Sequence, residues 1–498
     1  MKTAQWLVAS LLLCIAATAA VPSSINNDDS CDVKVGPAAT LLLPYFEVDV
    51  NGTSGRTTLF TITNVTRYPQ IAHVTLWSDW AYPVLTFNLF LTGYDVQAIN
   101  LADVLIRGTI APPSGTTSAT TPGASSSPSD GNLRTPLACA SNAAVLPASI
   151  IADVRGALTA GLIPRPGAIP CSTMGGNHAN AIGYATIDVV ASCTDRMPLD
   201  PLYYTSDLLF DNVLIGDYQQ IGANPAGTSL SAFDASGNPM VHIRAVPEGG
   251  GAGSNAGTSL PYTFYDRYTP SATRTIDRRQ PLPSTFAARF IQGGPSGFAT
   301  NLTIWREGYT GTGASCAANI NNAALYIVDI VRFDEHENAV LLCHSIVGPP
   351  CGFGPTLPVT SATSSSSSAY PPLASPDVGG WLYLNLNNGG SPSYSVGGHA
   401  SGTIALGPAS TLFGTPRASQ NWISVSMFGN VGTSRMTAEL DAPSLGNGCS
   451  PAVALYSDTR NGLPAIGSTG GVFVCPPGTT LTNGTTALCT GTNVNPNP

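Results

Sequence analysis

Charged side chains are scarce in this chain. Asp, Glu, Lys and Arg make up 10% of the 498 residues, whereas about 25% is usual for a soluble domain. Lysine occurs only at Lys2 and Lys34, and no basic run is longer than Arg278-Arg279. Because the formal net charge is −9, the sequence argues against nucleic acid and anionic membranes as partners, since both attract basic surfaces.

Long apolar runs are also missing after the first twenty residues. No later stretch reaches the roughly 18 apolar residues of a transmembrane helix, so we expect no stable membrane insertion. The chain begins with Lys2, an apolar segment from Trp6 to Ala17, and small residues to Ala20. This order is typical of a secretory signal peptide. We therefore predict a signal peptide at 1–20 and secretion, to the periplasm or outside the cell; lipidation at Cys14 is disfavoured because Leu13 precedes it.

Motifs of several enzyme classes do not occur. The sequence contains no G-x-S-x-G, H-E-x-x-H, S-x-x-K or Walker A pattern, which argues against the hydrolases and nucleotide-binding enzymes that these motifs define. A glycosidase stays open, because its two carboxylates can come from any part of the fold.

The cysteines predict disulfide bonds. Of eleven, one lies in the predicted signal peptide, and the other ten form an even set without a C-x-x-C motif. In an oxidising compartment such a set indicates disulfides, although the connectivity stays open. Cysteines that bracket strands suggest the pairs Cys171–Cys193, Cys316–Cys343 and Cys475–Cys489. The ten candidates are Cys31, Cys139, Cys171, Cys193, Cys316, Cys343, Cys351, Cys449, Cys475 and Cys489.

Ser-, Thr-, Gly- and Pro-rich segments suggest the domain organisation. Two such segments lack the apolar residues needed to offset the entropy cost of ordering. They are predicted as linkers, and they separate an N-terminal β-sandwich domain, a middle β-rich domain and a C-terminal β-rich segment. The predicted boundaries are 31–110 for the first domain, 111–134 for the first linker, 135–351 for the middle domain, 352–376 for the Ser-rich linker and 377–498 for the C-terminal segment.

Short apolar or alternating runs separated by turn residues predict an all-β fold. This spacing favours antiparallel, immunoglobulin-like β-sandwich domains. One short helix is expected from Ser149 to Ala160, with Ser149 as its cap and Gly161 as its end. The predicted strands are Thr40–Val48, Thr57–Val65, Ile71–Trp77, Val84–Leu91, Tyr184–Val190, Met240–Val246, Phe286–Ile291, Asn301–Trp305, Leu325–Phe333, Trp381–Leu386, Trp422–Phe428 and Met436–Leu440.

Several segments together resemble a family. The stretches LLLPYFEVDV, AHVTLWSDW, LTGYDVQAINL, IGYATIDVV, PLPSTFAARF and GWLYLNLN are similar to a group of uncharacterised secreted bacterial β-rich proteins. The resemblance covers most of the chain after the signal peptide. It implies an exported bacterial protein and carries over no catalytic or binding residue.

One strand offers a candidate glycan-binding surface. With a period of two, Leu382, Leu384 and Leu386 share one face. The opposite face then carries two aromatic rings, which stack on sugars, and two amides, which bind hydroxyl groups. A second layer covering this face is the alternative. The glycan candidates are Trp381, Tyr383, Asn385 and Asn387.

Two acidic segments are candidate metal sites: the first for calcium, the cation that loop carboxylates favour, and the second for a divalent ion held by oxygen and imidazole donors. The first contains Asp195, Asp200, Asp207, Asp211 and Asp217, for which turn and cap roles are the alternative. The second contains Asp334, Glu335, His336 and Glu337. The strand-like runs on either side of it favour a hairpin tip as the alternative.

These observations favour an exported, non-enzymatic structural or adhesive β-sandwich protein. The first alternative is an extracellular glycan- or calcium-binding module, and the second is a secreted carbohydrate-active hydrolase. An extracellular protein or a polysaccharide is the expected partner. The sequence does not define the oligomeric state.

Overall fold

The computed structural model describes part of the chain. The predicted signal peptide at 1–20 lies outside the described residues. The described ranges are 35–52, 55–79, 81–110, 123–126, 137–140, 144–163, 175–198, 200–222, 236–245, 263–265, 277–283, 285–306, 329–336, 339–344, 359–363, 379–385, 420–431, 434–442, 480–482 and 488–490.

Strands dominate the described residues. The helical elements are α1 (Ala148–Ala160) and two π-helical turns, Asp103–Arg107 and Tyr203–Asp207. The strands are β1 (Thr40–Val48), β2 (Thr57–Asn64), β3 (Gln70–Ser78), β4 (Pro83–Leu91), β5 (Val96–Asn100), β6 (Thr109–Ile110), β7 (Gly123–Ser126), β8 (Leu137–Ala140), β9 (Ala144–Val145), β10 (Ala181–Val190), β11 (Leu214–Ile221), β12 (Ser236–Pro239), β13 (Val241–Ile243), β14 (Thr285–Ile291), β15 (Ala299–Arg306), β16 (Asp329–Asp334), β17 (Ala339–His344), β18 (Val359–Thr363), β19 (Gly379–Asn385), β20 (Asn421–Val431), β21 (Ser434–Asp441), β22 (Thr480–Thr482) and β23 (Leu488–Thr490).

The strands form four larger antiparallel sheets. The central sheet has five strands in the order β13-β1-β10-β3-β4, and the second sheet has the order β12-β11-β2-β5. The third sheet is β14-β19-β16-β17 and the fourth is β18-β15-β20-β21. Smaller two-stranded sheets pair β6 with β9, β7 with β8, and β22 with β23. The predicted mostly-β, antiparallel class is confirmed.

The central sheet is buried on both faces. One face packs with the second sheet and α1 in a core that includes Leu41, Phe60 and Leu158. The other face contributes Leu42 and other apolar side chains to a second core shared with the third and fourth sheets. Two-sided burial explains why β1 is an almost continuous apolar run rather than an alternating one.

The central sheet combines strands that are distant in the sequence. Strand β10 lies between β1 and β3 and pairs with both, and β13 pairs with the other edge of β1. The predicted units 31–110 and 135–351 therefore contribute strands to one sheet. Two segments predicted as linkers also contain strands: β7 pairs with β8, and β18 pairs with β15.

Helix α1 matches its predicted extent except at the start. Val154 and Leu158 are buried as the helical spacing predicts, and Gly161 ends the helix in the left-handed conformation. The predicted cap at Ser149 is wrong, because Pro147 is the N-cap residue. Proline supplies a fixed φ but has no side-chain acceptor, so no cap hydrogen bond forms. No helix within the described ranges is long and apolar enough to cross a membrane.

Candidate functional site

Strand β19 has one buried face and one partly exposed face. Leu382 and Leu384 are buried in the second core, as the alternation predicts. Trp381 on the opposite face is 39% exposed, and Tyr383 is half-buried. Asn385 ends the strand, and Asn387 lies outside the described residues.

The register places further side chains beside Trp381. Its partners across the third sheet are Arg289 on β14 and Phe333 on β16. Register partners project from the same side of a sheet. The guanidinium carbon of Arg289 lies 5.3 Å from the centroid of the Trp381 ring, which is within the range of a cation–π interaction. Arg289 and Trp381 are therefore in direct contact.

An acidic side chain completes this surface. Glu335, at the turn after β16, accepts a hydrogen bond from Nη2 of Arg289 at 2.9 Å. A β-carbon at Gly379 would come within 2.9 Å of Oε1 of Glu335, so this glycine leaves the room that the carboxylate occupies. We call the surface formed by Arg289, Phe333, Glu335, Trp381 and Tyr383 the aromatic face.

The second acidic candidate segment is the tip of a hairpin. Strands β16 and β17 pair antiparallel on either side of it, which confirms the hairpin interpretation. The backbone N–H of His336 donates to Asp334 at 2.8 Å, a local turn bond. Glu337 lies outside the described residues.

The carboxylates of the first acidic segment do not form one group: three of them accept hydrogen bonds from protein donors. Asp207 is buried and accepts hydrogen bonds from the Thr194 hydroxyl and Arg196 Nη1. Asp200 accepts the backbone N–H of Leu202, and Asp217 accepts the Thr61 hydroxyl. Asp195 and Asp211 are exposed. Within the ranges that the structure covers, no three His, Cys, Asp or Glu side chains group as metal ligands do.

A polar row crosses the central sheet on its face toward the second core. The register aligns Thr40, Asp188, His73 and Asn88 on β1, β10, β3 and β4, and all four are buried. Nδ1 of His73 contacts Oδ1 of Asn88 at 2.9 Å. Burial lowers the pKa of His73, so this imidazole is held in its neutral form.

Asp188 is the central hydrogen-bond acceptor of this row. Its carboxylate accepts hydrogen bonds from the hydroxyls of Tyr203 at 2.7 Å and Tyr265 at 2.8 Å, and from Thr40. Burial, followed by the negative charge of Asp188, raises the pKa of both tyrosines. Both phenols therefore stay protonated and act as donors.

Arg279, in the segment that leads to the third sheet, neutralises the negative charge of Asp188. Its Nε lies 3.5 Å from Oδ1 of Asp188, and its Nη1 lies 3.1 Å from Oδ1 of Asp277. Burial opposes the charged form, but the two carboxylates outweigh it and raise the pKa of Arg279. Because the guanidinium is fully buried, this cluster has no solvent access and its role is structural.

A separate carboxylate–histidine pair joins two distant turns. The buried Asp79 accepts the backbone N–H of Gly176 at 2.9 Å and lies 2.7 Å from Nε2 of His178. The backbone N–H of His178 in turn donates to the Thr159 carbonyl at the end of α1. A side chain at Gly176 would overlap the His178 ring, so glycine permits this close approach. The pair fixes the segment 175–178 against the central sheet.

The cysteine predictions mostly fall outside the described residues. Cys193 is disulfide-bonded. Its predicted partner, Cys171, is outside the described ranges, so that pairing and the remaining pairs stay predictions.

Sequence reasoning found part of these sites. It singled out Trp381 and Tyr383 from their alternation with leucines, but it missed Arg289, and it treated Glu335 only as a metal candidate. It also missed Asp79 with His178, because ninety-nine positions separate them. Only the strand register and the turns reveal these neighbours.

Comparison with known proteins adds no assignment: no family model, curated protein or solved structure matches the chain.

Proposed function

We propose that this chain is an exported, non-enzymatic adhesive protein, and that its aromatic face binds carbohydrate. The observation that carries the proposal is the partial exposure of Trp381 on a strand whose other face is buried. Strand β19 is thereby rigidly supported from below while it presents an indole ring outward. An aromatic ring on a fixed support stacks on the apolar face of a sugar with little entropy cost.

The polar neighbours of Trp381 support the same function. Arg289 supplies several N–H donors and Glu335 supplies carboxylate acceptors, and both are about half exposed, with side-chain exposures of 47% and 52%. Sugar recognition needs an apolar surface bordered by such polar groups. The aromatic face provides both within one side of the third sheet.

Export and the finer fold class belong to the same proposal. Secretion is supported by the order of residues 1–20, by the even cysteine set and by the resemblance to secreted bacterial proteins. The shared cores of paired sheets support a sandwich architecture, and we propose that it is immunoglobulin-like.

We expect Trp381→Ala to abolish retention of the full-length protein by polysaccharide. The substitution removes the stacking surface but leaves Leu382 and Leu384 in the core, so the fold is retained. Affinity electrophoresis through gels that contain soluble polysaccharides measures the effect as lost retardation. Tyr68→Ala is the matched control, because Tyr68 is also an exposed ring, 58% accessible, with the guanidinium of Arg67 4.7 Å from its centroid.

Equal retardation of the wild type and Trp381→Ala would place any carbohydrate site elsewhere. Loss of retardation in Tyr68→Ala alone would do the same.

A further inference from the structure

We propose that the aromatic face selects neutral sugars over acidic ones, by holding two adjacent hydroxyl groups between Arg289 and Glu335. This inference rests on the proposed carbohydrate-binding function and names its ligand class. The juxtaposition that carries it is an exposed ion pair in direct contact with the exposed indole of Trp381.

The ion pair has the donors and acceptors that a diol requires. One hydroxyl donates to the Glu335 carboxylate, and its neighbour accepts from the Arg289 guanidinium. The described bond between Nη2 and Oε1, at 2.9 Å, uses one of five N–H donors on the arginine and one of about four lone-pair sites on the carboxylate. The pair therefore keeps its own bond while it binds a sugar.

The indole fixes where the sugar ring lies. Because the guanidinium sits 5.3 Å from the centroid of Trp381, a pyranose against the exposed part of the indole places its edge beside the ion pair. The apolar C–H groups of the sugar then contact the ring, and the hydroxyls at its edge reach the charged groups. Stacking and hydrogen bonding thus act on one sugar unit.

Charge excludes the acidic alternative. A uronate carboxylate would compete with Glu335 for Arg289 and would lie next to the Glu335 charge. Like charges in contact repel, and the whole chain carries a net charge of −9, which also disfavours the approach of a polyanion. A neutral diol meets none of these penalties.

The test compares neutral and acidic polysaccharides with three forms of the full-length protein. A soluble β-glucan and a galactomannan are the neutral probes, and polygalacturonate and alginate are the acidic probes. Affinity electrophoresis at low salt gives a dissociation constant for the wild type, for Glu335→Gln and for Trp381→Ala. Gln keeps the size of Glu and removes its charge.

We expect the wild type to bind at least one neutral probe about tenfold or more tightly than either acidic probe. Glu335→Gln narrows or reverses this ratio, and Trp381→Ala loses binding of every probe. If the wild type prefers an acidic probe through Trp381, the neutral-sugar inference is overturned while the carbohydrate function stands. If the wild type binds no probe, both proposals fail. A ratio unchanged in Glu335→Gln would show that Glu335 does not select the ligand.

Discussion

Replacing Arg279 by Met is expected to lower the free energy of unfolding by about 3–5 kcal/mol, the usual cost of leaving one member of a buried ion pair without its partner. Asp188 has no access to water, so its charge depends on Arg279 and on three hydroxyl donors. The hydroxyls remain in the variant, but the positive charge does not. Urea unfolding of the oxidised full-length protein measures the difference.

Arg289→Met is the matched control for this substitution. Arg289 also forms a carboxylate pair and contacts an aromatic ring, as Arg279 contacts Phe210, but its pair is exposed to solvent. Exposed pairs contribute about 0–1 kcal/mol, so the control should unfold close to the wild type. Equal losses of unfolding free energy in Arg279→Met and Arg289→Met would contradict the conclusion that burial makes the Arg279 ion pair important for stability.

The double variant separates lost charge from lost packing. Asp188→Asn keeps an acceptor for the tyrosine hydroxyls and removes the charge that Arg279 neutralises. In the Arg279→Met background it should recover part of the lost stability, whereas a packing defect alone would persist. Should Arg279→Met fail to fold, recovery of folded protein in the double variant would report the same effect.

The protein is expected to lose about 3 kcal/mol of stability between pH 6.5 and pH 4 because of His242 alone. This side chain is buried between the central and second sheets, and its Nε2 accepts the backbone N–H of Gly216 at 3.1 Å. Burial lowers the pKa of His242 from 6.5 to about 4. One pKa unit corresponds to about 1.4 kcal/mol.

The direction follows from which state binds the proton. Above pH 6.5 His242 is neutral in both states, so its full contribution to stability is present. As the pH falls below 6.5, His242 of the unfolded chain binds a proton, whereas His242 of the folded chain stays neutral until about pH 4. Protonation lowers the free energy of the unfolded state relative to the folded one, so the free energy of unfolding decreases. The loss is complete near pH 4.

Urea unfolding at several pH values between 7 and 4 checks this expectation. His242→Gln keeps an acceptor for Gly216 and cannot be protonated, so its stability should fall less on acidification than that of the wild type. His336→Gln, at the exposed hairpin tip, should follow the wild type. Parallel curves for the wild type and His242→Gln would refute the assignment; His73 is common to all three proteins and cancels in the comparison.

The sequence predicted the strands and the helix whose signals lie within a few residues of each element. The runs that became β1 to β4 alternate or are uniformly apolar between Gly-, Pro- and Asp-containing turns, and these signals lie within about ten residues of each strand. The periodicity of α1 and its terminal Gly161 were equally local. The predicted cap of α1 at Ser149 was wrong, because Pro147 is the N-cap residue.

The pairing of those strands could not be predicted in the same way. Thr40 meets Asp188 across 148 positions and Arg279 across 239, and nothing in either sequence neighbourhood marks the partner. In the sequence, Asp188 looked like one polar residue within an apolar strand, and Arg279 like half of a short basic pair. In the folded protein both side chains are fully buried on the face of the central sheet toward the second core, where they form an ion pair.

The aromatic face shows the same division. Alternation along β19 placed Trp381 opposite Leu382, which one strand suffices to show. The contacts with Arg289 and Glu335 depend on how β14 and β16 align with β19, a property of three strands together. The sequence alone therefore could not show that Arg289 and Glu335 lie beside Trp381.

The position of β10 constrains the order in which this protein acquires its structure during synthesis. A nascent chain that has reached residue 110 already contains β1, β3 and β4, but the strand that separates β1 from β3 ends only at Val190. Until then two apolar strands have edges whose correct neighbour does not yet exist, and such edges pair readily with the wrong strand or with another chain. The central sheet therefore cannot form until β10 has been synthesised, which makes its formation slow. Fragments that end before β10 keep unpaired apolar edges and are prone to aggregate.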